Sequence, residues 1–243
     1  MSRLLSQVYR FLLMLVLLCA GVMAERTGLV QYLSDPYEYP YILSRLWEHV
    51  CIVGESMSIA TAIGVIAGIL LTRSRFRRYA GIVMYIISLG QTIPSLAVLA
   101  LAMSFLGIGS GPAVFALTVY SILPIARNTL AGITNVPPHL TDAARGMGMP
   151  PARILLEIEI PNAMKIIITG FRIALIINIG TVALAYLIGA GGMGDLIFTG
   201  IEVMMTAKLL AGAIPVTIMA LIADFCCGLL ELLLVPKGLR LNG

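Results

Sequence analysis

The chain has 243 residues, 59% of them hydrophobic and 12% charged, and carries a net charge of +4. So few charges cannot cover the apolar surface of a soluble domain of this size, which makes lipid the solvent for most of the chain. A soluble enzyme is excluded on that ground, and a nucleic-acid binder is excluded because the positive charge forms no clustered, aromatic-interleaved surface.

Lipid offers the backbone no hydrogen bonds, and apolar runs of about 20 residues select helices over the short alternating strands of a barrel. Six spans are predicted, near residues 8–24, 50–71, 80–105, 112–126, 166–188 and 209–234. The first follows Arg3 and Arg10 and ends in Gly21-Val22-Met23-Ala24, so it reads as a span or as a cleaved signal peptide. Residues 25–49 read as an outer loop with Pro36, Pro40, Trp47 and the acids Glu25, Asp35, Glu38 and Glu48. Its aromatics suit anchoring at the membrane interface or the seating of an external partner.

The second span carries Ser56, Ala60, Gly64 and Gly68 at four-residue intervals, a ridge that lets another helix approach closely. Pro112 and Pro124 bracket the fourth span, which is short for a full crossing and reads as tilted or partly irregular. His49 and His139 stand alone in loops on opposite sides, which argues against a metal or catalytic pair. Cys19, Cys51, Cys226 and Cys227 lie in or beside apolar spans without metal-ligand spacing and read as packing residues.

With the N-terminus cytoplasmic, the inner side carries Arg3, Arg10, Arg73, Arg75, Arg77, Arg78, Arg127, Arg145, Arg153, Lys165, Lys237 and Arg240. The outer side carries Arg26, Arg45 and Lys208, and Arg172 falls inside a span. This bias sets the orientation by the positive-inside rule. Arg172 either snorkels to the cytoplasmic interface or takes part in an ion pair or pathway, and Asp224 is the other notable intramembrane charge.

Gly189-Ala190-Gly191-Gly192-Met193-Gly194 satisfies the dinucleotide fingerprint literally but follows a membrane span instead of a strand, so it reads as an irregular turn at the outer face. No phosphate-cradling Gly-x-x-x-x-Gly-Lys-Ser/Thr run occurs, so any ATP-driven activity belongs to a partner chain. No nucleophile-base pair and no set of intramembrane carboxylates suggests catalysis or a proton relay, which disfavours an intramembrane enzyme or a self-contained secondary transporter or channel. Gln91, Thr92, Asn178 and Thr181 are polar residues within apolar spans and belong in the bundle interior, either as interhelical hydrogen-bonding groups or as the lining of a solute pathway.

The inner segment 127–165 holds the best-specified polar pattern. Pro137-Pro138 stops the preceding helix, Thr141 is an expected N-cap, and Asp142 is expected in the first turn, where its charge suits the helix dipole. Gly146 and Gly148 then supply an exit, and Pro150-Pro151 opens the next helical segment.

Asp142-Ala143-Ala144-Arg145-Gly146-Met147-Gly148, followed by Ile158-Glu159-Ile160-Pro161, resembles the coupling loop of permease subunits in binding-protein-dependent ATP-binding-cassette importers. The family pattern has Glu first and Leu before Pro, so Asp142 and Ile160 are conservative departures. The resemblance implies an all-α type I importer permease fold of about six transmembrane helices, in which a short inner helix docks on a separate ATPase. By it, Asp142, Ala143, Ala144 and Gly148 are coupling residues, and Ile158, Ile160 and Pro161 fix the next element.

Gly90-Gln91-Thr92-Ile93-Pro94-Ser95, Tyr120-Ser121-Ile122-Leu123-Pro124, Asn178-Ile179-Gly180-Thr181 and Ile188 to Asp195 resemble the osmoprotectant branch of that family, from about residue 50 onward. That implies import of glycine betaine, carnitine, choline or related quaternary ammonium solutes, with another small solute such as an amino-acid-like one as the alternative. It implies a second permease, identical or paralogous, two ATPase subunits that bind ATP and Mg, and an external or periplasmic binding protein, with no cofactor in this chain. The expected organisation is one multi-pass domain over 1–243 in the bacterial inner membrane: 1–49 as first span and outer loop, 50–234 as permease core, with the coupling loop at 137–161.

Overall fold

The computed structural model describes residues 21–22 and 24–235, so the expected span at 8–24, with Cys19, falls almost wholly outside the described residues. Among the described residues from Leu29 onward ten α-helices follow in order: α1 (Leu29–Ser34), α2 (Glu38–Thr72), α3 (Ala80–Thr92), α4 (Ser95–Leu106), α5 (Ser110–Thr134), α6 (Pro138–Gly146), α7 (Pro151–Ile154), α8 (Ile160–Val182), α9 (Gly194–Glu202) and α10 (Thr206–Leu234). A π-turn at Leu155–Glu159 joins α7 to α8, and a 3₁₀ turn at Ala183–Ile188 extends α8. Four of the resulting helices are long and apolar enough to cross a membrane: Glu38–Thr72, Ser110–Thr134, Pro151–Ile188 and Thr206–Leu234. The pair α3 and α4 makes a fifth if counted as one broken span.

Several expected boundaries move, each for a local reason. The span expected at 80–105 bends by 95° between α3 and α4. Ile93 precedes Pro94 and is pushed to extended backbone, φ −74° and ψ 129°, so the helix cannot run through. The outer loop expected at 25–49 is largely helical, because Pro40 falls in the first turn of α2, where its missing N–H has no intrahelical partner to lose. The second span therefore starts at Glu38, and His49 is not in a loop but inside α2, fully buried.

The fourth span is not short: α5 passes straight through Pro124 and reaches Thr134. Proline leaves the carbonyl four residues back without its donor, and here Gln91 Nε2 donates to that oxygen, of Tyr120, at 3.1 Å. A donor on a neighbouring helix thus lets the proline sit within the bilayer.

α5 is the axis of the bundle, and small residues set its distance from both neighbours. On α2 the predicted ridge of Ser56, Ala60, Gly64 and Gly68 is buried. A Cβ at Gly64 would stand 2.8 Å from the Ile125 side chain, and one at Gly68 would stand 2.5 Å from Thr129. On the other side a Cβ at Gly170 of α8 would meet Asn128 at 2.5 Å. Helices in lipid gain by such close packing because no hydrophobic effect drives them together. By contrast α10 has only 6% of its apolar window fully buried; Val216, Met219, Ala220 and Ala223 pack against the core, and the opposite side is left for lipid or another chain.

Candidate functional site

At the inner face α6 begins at Pro138, whose fixed φ suits the first helical position. Thr141 is therefore not the N-cap. Its Oγ1 donates to the Pro138 carbonyl at 2.9 Å, and Asp142 stands in the second turn, paired with Arg145 at 3.0 Å. The helix ends where the sequence requires it. Gly148, at φ 79°, takes the left-handed position after the C-cap. The Met149 N–H bonds the Ala144 carbonyl at 3.1 Å and the Gly148 N–H bonds that of Arg145 at 2.9 Å, the reciprocal pair of a Schellman end. Ala144 is buried, while Asp142, Ala143 and Gly148 are exposed.

Ile158, Glu159, Ile160 and Pro161 do not lie in a loop. They occupy the π-turn and the start of α8, within one helical run from Pro151 to Ile188. Pro161 cannot donate to the ladder, and the wider turn before it takes up that mismatch, with Asn162 Nδ2 bonding the Ile158 carbonyl at 2.7 Å. Ile158, Ile160 and Pro161 are half-buried, and α6 packs against both α7 and the π-turn, so the two halves of the motif adjoin. Glu159 is buried and ion-paired to Arg73 at the end of α2, which ties this turn to a second helix.

The four pathway candidates divide. Asn178 is 2% exposed and donates to Ser121 Oγ at 2.9 Å and Ser56 Oγ at 3.1 Å, so its amide joins α8 to α5 and α2. Gln91 serves Tyr120, the residue beside Ser121 on α5. Thr92 is exposed and bonds the Leu89 carbonyl of its own helix. Thr181 is half-exposed and bonds the Ile177 carbonyl at 2.7 Å. The two amides are thus committed to the bundle, and the two threonines stand nearer its surface.

Arg172 and Asp224, the two intramembrane charges, pair with each other. Both carboxylate oxygens accept from the guanidinium at 2.5 Å, which bridges α8 to α10. This bidentate pair explains how two charges persist on apolar helices.

A further polar assembly at the outer face escaped the sequence reading. Tyr41, Arg45, Glu48 and His49 lie on one face of α2, four, seven and eight residues after the first. Glu48 accepts the Gly192 N–H at 3.1 Å and pairs with Arg45 at 2.6 Å. Arg45 and the Tyr41 hydroxyl both reach Asp195, in the first turn of α9. His49 Nδ1 accepts the Met193 N–H at 3.3 Å, so Nε2 carries the proton it donates to the Ile179 carbonyl at 3.0 Å. Gly191 and Gly192 both sit at φ 79°, and a Cβ on Gly191 would strike Glu48. The glycine turn is therefore shaped to lay its N–H groups against α2. The i, i+4, i+7, i+8 spacing was the signal that could have revealed this face.

The chain matches the family described as "binding-protein-dependent transport system inner membrane component" over residues 61–237. It is 43% identical over 199 residues to the carnitine transport permease protein OpuCB of Listeria monocytogenes, covering 82% of this chain and 90% of that one. It is 42% identical over 224 residues to the osmoprotectant import permease protein OsmY of Salmonella typhimurium, covering 92% of each. Among solved structures, an inward-facing form of the MetNI methionine ABC transporter superposes with a TM-score of 0.73 at 24% identity, over 84% of this chain and 100% of that one. Helix order, the inner α6 element and these relatives together make the chain a member of the binding-protein-dependent transport family, a multi-pass inner-membrane permease subunit and not an enzyme.

Proposed function

We propose that this permease carries osmoprotectants of the quaternary ammonium class, such as glycine betaine, carnitine or choline, and that α6 couples it to a separate ATPase. The observation that carries the solute class is the set of relatives at 38–43% identity over most of the chain, named for carnitine, choline and osmoprotectant transport. A compact cation without hydrogen-bond donors is recognised through aromatic faces. Selection by an external binding protein supplies that recognition outside the membrane.

In this reading the pathway lies between this chain and a second permease, identical or paralogous, and two ATPase subunits hold ATP and Mg. Asp142 and Ala143 present the docking face of α6, with Ala144 packed behind them and Gly148 ending the helix sharply. The π-turn that adjoins α6 lies at the base of the run Pro151–Ile188, where Ile158, Ile160 and Pro161 are half-buried. A displacement of α6 by the ATPase then enters a rod that ends at the outer glycine turn.

The test is glycine betaine uptake into proteoliposomes holding this chain with its cognate permease, ATPase and binding protein, with and without internal ATP. Accumulation only with ATP is expected. ATP turnover without betaine uptake would send the search to other solutes, including amino-acid-like ones. Gly148→Asp, which forces a side chain into the left-handed position and a charge beside the docking face, is expected to express normally and lose uptake. Wild-type uptake by that variant would remove the coupling assignment.

A further inference from the structure

The broken span α3–α4 places irregular backbone at membrane depth. α3 starts on the cytoplasmic side, after the basic turn that follows α2, and its 13 residues cover about 20 Å before Pro94 stops it. The depth is fixed independently by α5, whose 25 residues form a whole span. Gln91 Nε2 donates to the carbonyl of Tyr120, the eleventh of those residues, at 3.1 Å. In return the Tyr120 hydroxyl donates to the Gln91 and Ile93 carbonyls at 3.2 and 3.1 Å. The break therefore lies level with the middle of α5.

Pro94 has no N–H for the carbonyl of Gly90, four residues back, and no other backbone N–H among the described residues takes its place. Gly90, Thr92, Ile93 and Pro94 are all exposed. Irregular backbone at this depth persists where protein encloses it or where it lines water, and not against lipid. Among the described residues nothing covers it, so it faces a second chain or a water-filled space.

The polarity of the break favours water and a cation. An apolar partner helix would leave the Gly90 carbonyl unbonded. α3 ends here with its carbonyl pole, which attracts positive charge, and α4 leaves at 95°, so its N–H pole opens in a perpendicular direction. Tyr85, seven residues before Thr92 on the same face of α3 and 66% exposed, adds an aromatic face below. Neither α3 nor α4 carries a charged side chain, so this attraction is weak enough to let a cation move on.

We infer that the α3–α4 break lines the solute pathway at mid-membrane, the carbonyl end of α3 receiving the cationic head of the solute. The inference rests on the proposed import of a quaternary ammonium compound. Tyr120 and Gln91 hold the break to α5, and Thr92 borders the passing solute.

The test uses the complete transporter in liposomes, with Cys19→Ala, Cys51→Ala, Cys226→Ala and Cys227→Ala as background and Thr92→Cys as the target. Trimethylammonioethyl and sulfonatoethyl methanethiosulfonate are supplied on both sides, and each rate is divided by that of the same reagent with 2-mercaptoethanol. Thr92→Cys is expected to react, with the cationic reagent favoured about tenfold, the size of a helix-pole interaction in a partly buried site. Ile93→Cys, exposed at the same break, carries the same expectation and replaces Thr92→Cys where that variant fails to assemble. Equal normalised rates mark a water-filled space without charge preference and overturn the inference. Betaine uptake by a transporter whose cysteine at the break stays unreactive, with and without ATP, means that a partner chain or lipid covers the break; it overturns the inference and leaves the transport reading intact. Cation-favoured reaction in a transporter that takes up no betaine supports the break as a cation route and removes the solute class instead.

Discussion

The two faces of this permease are built on opposite plans. At the outer face α2 holds the glycine turn and α9 through Glu48, His49, Arg45 and Tyr41, and two of these bonds are donated by backbone N–H groups of the turn. At the inner face α6 buries one residue, Ala144, and its one side-chain ion pair lies within the helix and in solvent. The helical run Pro151–Ile188 touches both ends. Under the proposed coupling role, the inner helix leaves its groups unspent for another protein, whereas the outer assembly has its polar groups answered within the chain.

Overloading the outer plan should have the largest effect. A Cβ on Gly194 would fall against the Ala183 carbonyl and the Tyr186 side chain, where α9 begins directly on the end of α8. Gly194→Val is expected to cost about 3 kcal/mol or more, enough to remove the folded protein from the monodisperse peak in detergent. A normal elution profile would show that α9 is free to lift, and the contrast between the faces would fail. His49→Leu comes next: it strands the Met193 N–H and the Ile179 carbonyl in a fully buried site, at about 1–3 kcal/mol each. Thermal unfolding should shift down accordingly, with partial recovery in His49→Gln, whose amide keeps a donor and an acceptor. Equal melting of the two variants would mean that volume, not hydrogen bonding, is what His49 supplies.

What sequence alone reveals follows the same division. The spans were legible because run length and hydropathy are one-dimensional properties, and the ridge from Ser56 to Gly68 was legible because its period is helical. Gly148 was placed correctly as a helix exit, since only a left-handed position there closes the Schellman pair. Pro124 misled because the group that rescues it, Gln91, arrives from 29 residues before Tyr120. Pro40 misled in the other direction, hiding the helical face of Tyr41, Arg45, Glu48 and His49 behind a loop composition. Asn178 was recognised as interior, but its partners Ser56 and Ser121 lie 122 and 57 positions away. Polarity within a span says that a partner exists and leaves its identity to the fold.

Between the two faces stands the Arg172–Asp224 pair, joining α8 to the sparsely buried α10. Asp224→Asn leaves a guanidinium on an apolar helix with a neutral acceptor, so a smaller fall in melting temperature than for His49→Leu is expected. The exchanged pair, Arg172→Asp with Asp224→Arg, should restore most of it. Failure of the exchange to recover stability would mean that one of these charges serves something other than its partner.

The smallest stability effect is expected at Asp142. Its pair with Arg145 is about two-thirds exposed on each side, 65% and 66%, so screening leaves the bond worth no more than about 0.5 kcal/mol. Asp142→Ala should therefore melt with wild type. Under the proposed coupling role, the same variant should lose ATP-driven uptake while the ATPase still hydrolyses ATP, because the side chain is spent on the partner and not on the fold. Measuring both quantities on one preparation separates the two plans. A fall in melting temperature comparable to that of His49→Leu would show that the inner helix is built like the outer clamp. Full uptake at unchanged stability would instead leave α6 as a passive connector whose solvent-facing acid does nothing for transport.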